Sequence, residues 1–278
     1  MLSENLHTTK PEKKINVCTL CNSMNISIIN TYKHYWKVCN DCGNSFSKAK
    51  SHYSLSFLPF EILKKDRNTI KNPESSYCYS RPSVNKIRQD EEQAILLSET
   101  WLNLCKINLK GKTVLEISGG TGHFVKTLQD FGAKVFHTEC DQSSVEYVNN
   151  KLNISSKLFS FGKHSLKNLF SEKFDIIILK GCLEFCVDIK KFLEEVQLIT
   201  ATDSTVIVIT CVPTLGNFLL TQFDDYNQLA LYQPETLTGL FKGQNFSLIW
   251  SRNTGDTRSH YPLYFYRNNL SRLLMLRY

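Results

Sequence analysis

From residue 111 onward the apolar positions alternate between two rhythms. Short runs rich in β-branched residues recur at TVLEIS (113–118), KVFHTE (134–139), KLFSF (157–161), FDIIILK (174–180) and TVIVITC (205–211). They have the length of buried strands. Between them apolar residues return at helical spacing: Phe124, Val125, Leu128 and Phe131 share one face, as do Ile189, Phe192, Leu193 and Val196. Strands alternating with amphipathic helices predict a doubly wound α/β fold with a mostly parallel sheet. Pro234 is placed to open another helix through Leu237, Leu240 and Phe241, and Gly243 to stop it. FSLIW (246–250) and HYPLYFYR (260–267) flank SRNTGDTRS and predict an antiparallel hairpin at the sheet edge, which makes seven strands. The tail LSRLLMLRY (270–278) reads as a terminal helix closing the core. Upstream, EEQAILLSETWLNLC (91–105) predicts a helix with an apolar stripe.

The first 50 residues obey a different logic. CTLCNSMNISIINTYKHYWKVCNDC (18–42) holds two CxxC pairs, Cys18/Cys21 and Cys39/Cys42, separated by 17 residues. Each CxxC turn lets two thiolates converge, and two turns complete a tetrahedral four-sulfur site. The β-branched and aromatic residues between the pairs predict a hairpin, so the whole reads as a small zinc ribbon that depends on its metal for stability. An iron centre of rubredoxin type and redox-active thiols are the alternatives, and His34 is a spare ligand. Residues 51–90 mix prolines, polar turns and isolated aromatics without a period, as a connector does. The expected organisation is a ribbon over 1–50, a connector over 51–90 and an α/β domain over 91–278.

Charge sharpens this division. Residues 1–90 carry 14 Lys and Arg against 7 Asp and Glu, whereas the other 188 residues carry 19 of each. A basic ribbon on a neutral domain suits an anionic partner, although a solvated Lys-rich surface has the same composition. No run of 18 apolar residues exists, and MLSENLHTTKPEKK lacks an apolar signal core, so a cytoplasmic protein without a transmembrane segment is expected. In that setting ten cysteines indicate thiols and metal ligands rather than disulfides.

The chemistry concentrates in VLEISGGTGHF (114–124). A glycine loop after a first strand suits a nucleotide-containing cofactor. No GK[ST] follows, which excludes a P-loop, and the third small residue of a dinucleotide fingerprint is Val125. Glu116 at the strand end disfavours a pyrophosphate and suits an ammonium group. Glu139, at the end of the second strand, is placed to accept hydrogen bonds from a ribose diol.

These stretches resemble class I S-adenosylmethionine-dependent methyltransferases, with their Rossmann-like domain. E-I-S-G-G-T-G (116–122) is similar to motif I, E/D-x-G-x-G-x-G, with Ser118 in place of the first glycine. VFHTECDQSSVEYV resembles the second motif, FDIIILKGCLEFCVDIKKFLEEV the fourth-strand motif, and TCVPTLGN the fifth strand and its loop. The resemblance implies that Glu116, Ser118, Gly119, Gly120 and Gly122 surround the methionine portion of S-adenosylmethionine. It places Glu139 on the ribose, Cys140 on the adenine, and Lys180 and Gly181 beside the reactive sulfur. The acid that reads the adenine amino group in relatives is missing, and SFGKHSL offers His164 or backbone groups instead.

Two family histidines are also absent, replaced by Phe185 and Gln228. His123 and His260 remain as candidate bases, and each has a purely structural alternative. The segment 212–233, with Phe218, Phe223, Tyr226 and Tyr232, reads as a substrate lid or as a packed insertion. A four-cysteine ribbon on this domain resembles bacterial methyltransferases of surface-polysaccharide and sugar biosynthesis. The implied acceptor is a small molecule, a sugar or nucleotide sugar. An RNA methyltransferase with a docking ribbon is an alternative, as is a scaffold that has lost catalysis.

Overall fold

The computed structural model describes residues 17–30, 34–49, 106–186, 188–211, 230–254 and 271–278. The expected helix at 91–105, the connector 51–90, the strand at 260–267 and the lid residues Phe218, Phe223 and Tyr226 lie outside them, as do Gln228 and His260.

The α/β domain is built on a seven-stranded sheet. Its strands are β4 (Thr113–Ile117), β5 (Lys134–Glu139), β6 (Ser155–Leu158), β7 (Phe174–Lys180), β8 (Thr200–Cys211), β10 (Ser247–Thr254) and β11 (Ser271–Arg277). They lie in the order β10-β11-β8-β7-β4-β5-β6. The five strands from β8 to β6 are parallel, and β11 runs antiparallel between β8 and β10. The third strand comes two residues earlier than its sequence pattern suggests, and β8 starts five residues earlier.

Among the described residues five helices cover the sheet: α1 (His123–Asp130), α2 (Gln142–Lys151), α3 (Leu166–Leu169), α4 (Ile189–Ile199) and α5 (Pro234–Lys242). The pleat sends alternate side chains of β7 to opposite layers. Ile177 and Leu179 pack with Ile189, Phe192, Leu193 and Val196 of α4 and with Leu237 and Phe241 of α5. Ile176 and Ile178 join Phe124, Val125 and Leu128 of α1 and Val148 of α2. Both faces are dry, which is why the strand runs are continuously apolar. Asp175 locks the N-terminal ends of β4 and β7 together, accepting hydrogen bonds from the backbone N–H and the hydroxyl of Thr113, each at 2.8 Å. The strands therefore reach the opposite end of the sheet in register, and there the glycine loop begins.

The tail is a correction to the sequence reading: SRLLMLR is β11, an interior strand, and not a terminal helix. An unbroken run such as Leu273–Leu276 fits a buried helix turn or a two-faced strand equally well. Pairing decides it, because β11 fills the gap between β8 and β10, with Leu274 and Leu276 on one face and Met275 on the other.

The cysteine-rich region folds as an antiparallel sheet of β1 (Ile26–Asn30), β2 (His34–Cys39) and β3 (Ser45–Ala49). Its fourth strand comes from far along the chain: β9 (Ala230–Leu231) pairs with β3 through Ser45↔Leu231 and Phe46↔Ala230. Trp36 and Leu231, both fully buried, form the centre of this sheet. The ribbon therefore shares its sheet with the α/β domain.

Leu276→Ala is expected to destabilise the fold by about 2–5 kcal/mol, as a fully buried leucine does. The exposed neighbour Arg277→Ala is expected to cost about 0.5 kcal/mol or less. Urea unfolding of both variants measures the difference, and equal effects would contradict the interior strand.

Candidate active site and metal centre

At the end of β4 the chain delivers Glu116 and then turns sharply. Ser118 adopts φ 55°, the left-handed region, at a cost on the order of 1 kcal/mol for a residue with a Cβ. Its N–H donates to the Thr138 hydroxyl at 3.2 Å, and the Gly119 N–H donates to the Thr138 carbonyl at 3.0 Å, so β5 anchors the loop. A Cβ on Gly119 would lie 2.6 Å from the Glu116 carboxylate and 2.7 Å from the His137 ring. No other residue fits there, because the backbone rests directly on these two side chains. By contrast, among the described residues a Cβ on Gly120 or Gly181 would meet nothing within 4 Å.

The remaining candidates lie near these glycines. Glu139 ends β5, and its carboxylate accepts the Gly120 N–H at 2.8 Å and the Cys140 N–H at 2.6 Å. Lys180 ends β7, with its ammonium 3.9 Å from the fully buried Glu116 carboxylate and 5.8 Å from the centre of the Phe124 ring. Gly122 precedes α1 at φ 74°. The fold thus gathers Glu116, Ser118, Gly119, Gly120, Gly122, Glu139, Cys140, Lys180 and Gly181 at the C-terminal ends of β4, β5 and β7. Ligands of open α/β sheets bind at this edge.

The histidines are placed differently. His123 is buried at the start of α1, 3.3 Å from the Tyr147 hydroxyl of α2, and so belongs to a helix–helix contact. His164 accepts the Ser160 N–H at its Nδ1 and so braces its own loop. Beyond β7 a 3-10 turn, Leu183–Phe185, carries the buried Glu184 between Cys182 and Cys186. Burial pushes both thiols well above their ordinary range, which disfavours the thiolate form. Tyr232 is also buried, and its hydroxyl donates to the Cys186 carbonyl at 3.2 Å.

In the ribbon the ligand atoms of Cys18, Cys21, Cys39 and Cys42 all lie within 4.8 Å of one another. Cys18 and Cys42 are 3.6 Å apart at sulfur, and Cys21 and Cys39 are 3.5 Å apart. A zinc tetrahedron with bonds of about 2.3 Å has sulfur–sulfur edges of about 3.8 Å, whereas a disulfide needs about 2.05 Å. The donor set therefore fits a four-thiolate metal. The two turns repeat one geometry: the residue after the second cysteine is left-handed, Asn22 at φ 60° and Gly43 at φ 69°. Its N–H donates to the carbonyl of the first cysteine, at 2.9 Å from Asn22 to Cys18 and 2.8 Å from Gly43 to Cys39.

A family profile described as a methyltransferase domain matches residues 89–250, more than half of the chain. The chain belongs to the methyltransferase domain family. No curated protein sequence matches it. Among solved structures, magnesium protoporphyrin IX methyltransferase from Synechocystis with bound SAH is 16% identical at a TM-score of 0.52, over 72% of this chain and 90% of that one. A methyltransferase dependent on S-adenosylmethionine from Mesorhizobium loti is 13% identical at 0.53, over 65% and 98%. Another from Thermotoga maritima is 17% identical at 0.52, over 70% and 95%. At these identities the likeness is one of fold, and it agrees with the strand order of this methyltransferase domain.

Sequence reasoning missed His137, because nothing local marks a β5 residue as the floor of a loop from β4. It also missed Asn44, whose only signal is that it follows the second cysteine pair. His137 is fully buried, with its Nδ1 2.8 Å from the Ser156 hydroxyl. Burial pulls its pKa down to about 3, opposed by the Gly119 backbone and assisted by the Lys180 charge.

The folded chain therefore keeps His137 neutral where the unfolded chain, with an ordinary value of 6.5, protonates it. Stability is expected to fall as pH drops from 6.5 toward 5, with a limiting slope of about 1.4 kcal/mol per pH unit. Urea unfolding across that range should give a shallower slope for His137→Asn. Equal slopes for variant and wild type would show that His137 protonates in the fold.

Proposed function

We propose that this methyltransferase domain binds S-adenosylmethionine at the glycine loop and methylates a small-molecule acceptor of sugar or nucleotide-sugar type, with one structural zinc ion in the ribbon. The observation that carries the reading is that, among the described residues, nothing lies within 4 Å of a Cβ placed on Gly120 or Gly181, beside the Glu139 carboxylate that holds Gly120 and the Lys180–Glu116 pair. The cofactor, when bound, supplies a methyl group on a sulfonium that is already a good leaving group. What the chain contributes is recognition and alignment.

Glu116, buried beneath the loop and beside Lys180, offers negative charge toward the ammonium of the methionine portion. A carboxylate has about four acceptor positions. Glu139 uses two on the Gly120 and Cys140 amides, which leaves capacity for a ribose diol. Gly120 and Gly181 let the ligand approach the backbone, because no Cβ intervenes. The turn after β7 and the segment entering α5 would border the acceptor. Holding the acceptor in line with the transferred methyl and keeping water out supplies most of the rate. A neutral α/β domain favours this acceptor over RNA, since phosphate binding needs a basic stripe. Among the described residues no helix is long and apolar enough to cross a membrane.

Calorimetric titration with S-adenosylhomocysteine is expected to show a single site, and Glu139→Ala is expected to weaken binding by about tenfold or more, the value of a charged hydrogen bond. Absence of heat with the intact protein would overturn the enzyme reading. Metal analysis by plasma mass spectrometry is expected to find about one zinc per chain, lost in Cys21→Ser, because four thiolates fill a tetrahedral zinc shell. Iron in its place would replace the zinc reading with a rubredoxin-type centre.

A further inference from the structure

We propose that Asn44 is a positioning residue that ties the metal centre to the acceptor side of the methyl-transfer site. The inference rests on the reading of the four cysteines as metal ligands and goes beyond it, by giving the ribbon a part in shaping the site.

Asn44 is fully buried, and its side-chain amide, its side-chain oxygen and its backbone carbonyl are each used at a joint. Its side-chain amide donates to the Cys42 sulfur at 3.0 Å and lies 3.4 Å from the Cys42 carbonyl. Its side-chain oxygen accepts the Gln233 N–H at 3.2 Å, and its backbone carbonyl accepts the Cys39 N–H at 2.9 Å. One side chain thus bridges a metal-ligand sulfur and the residue that precedes α5, 189 positions away. The contact is tight: a Cβ on Gly43 would lie 2.5 Å from the Gln233 side chain. The Thr236 hydroxyl donates to the Cys42 carbonyl at 2.9 Å, on the same knuckle.

The bridged segment leads into the site. Ala230 and Leu231 form β9 on the ribbon sheet, and the next residue, Tyr232, holds the Cys186 carbonyl. Cys186 closes the 3-10 turn that follows Gly181, where the Phe185 and Cys186 amides donate to the Cys182 and Leu183 carbonyls. Side chains from both parts share one core: Cys182, Leu183, Cys186, Ala230 and Tyr232 pack together, with Leu20 and Phe46 of the ribbon against them. A second tether runs from the Lys190 ammonium, at the start of α4, to the Leu20 carbonyl at 3.2 Å. The glycine loop and Glu139 are anchored elsewhere, to Thr138 and to the loop itself. The glycine loop is hydrogen-bonded to β5 and the turn after β7 to Tyr232, while both rest on one apolar core that includes Leu115, Ile117, Phe136, Cys182 and Tyr232.

These separate hydrogen bonds make the inference testable on the zinc-loaded full chain without a known acceptor. Asn44→Ala, Asn44→Asp and Tyr232→Phe would be compared by hydrogen–deuterium exchange, zinc content and affinity for S-adenosylhomocysteine. Asn44→Ala is expected to accelerate exchange at the Phe185 and Cys186 amides at least about tenfold, while β7 and the affinity for S-adenosylhomocysteine stay within about threefold of wild type. Tyr232→Phe, which removes only the hydroxyl, is expected to accelerate the same amides and leave zinc content unchanged. Asn44→Asp keeps the acceptor for Gln233 but loses the donor to Cys42, so it is expected to restore slow exchange while losing zinc faster to a chelator. Unchanged exchange at Phe185 and Cys186 in both Asn44→Ala and Tyr232→Phe would overturn the proposal, as would acceleration spread evenly over β7. A wild-type chain that holds no metal would instead defeat the metal reading, and the exchange data on Tyr232→Phe would still decide whether segment 230–236 positions the turn.

Discussion

A carboxylate with no exposed surface at the end of the central strand is the constraint around which this site is built. Burying the charge of Glu116 is costly unless compensating groups surround it. Lys180 from the neighbouring strand brings the opposite charge to 3.9 Å, and the loop backbone covers the carboxylate at Gly119. That closure is possible only because residue 119 has no side chain. The same burial keeps His137 neutral, since a second cation beside Lys180 in a dry space would be unfavourable. Glycine loop, β7 lysine and β5 histidine are thus one electrostatic unit contributed by three strands.

The ribbon adds a second unit with its own logic. A three-stranded piece of this size has little core, and a metal held by its four cysteines would compensate for missing burial. Here it also borrows β9 and Leu231 from the α/β domain and contributes Leu20 and Phe46 to the larger core in return. The exchange places a thiolate cluster within a few bonded contacts of the turn after β7.

Much of this was legible locally. Strand and helix alternation, the Pro234 start of α5 and the two cysteine pairs are properties of short windows, and each is realised close to its sequence position. The glycine loop at the end of β4 was legible too, since a strand end followed by glycines has few structural uses. Tyr232 read as a lid aromatic or as packing of its segment, and it is packed against the turn at Cys186. His123 read as a candidate base, and its ring lies against Tyr147 in a helix contact. In both cases the side chain's chemistry was visible and its surroundings were not.

The sequence by itself determined the order of elements, the glycine loop and the convergence of four thiols, because these follow from backbone periodicity and from ligands spaced two residues apart. Only the tertiary structure decided that SRLLMLR is an interior strand, that β9 completes the ribbon, and that Asn44 meets Gln233. The physical reason is the same for all three. A short apolar or polar segment is compatible with several environments, and the one it adopts is set by neighbours that lie tens to hundreds of residues away.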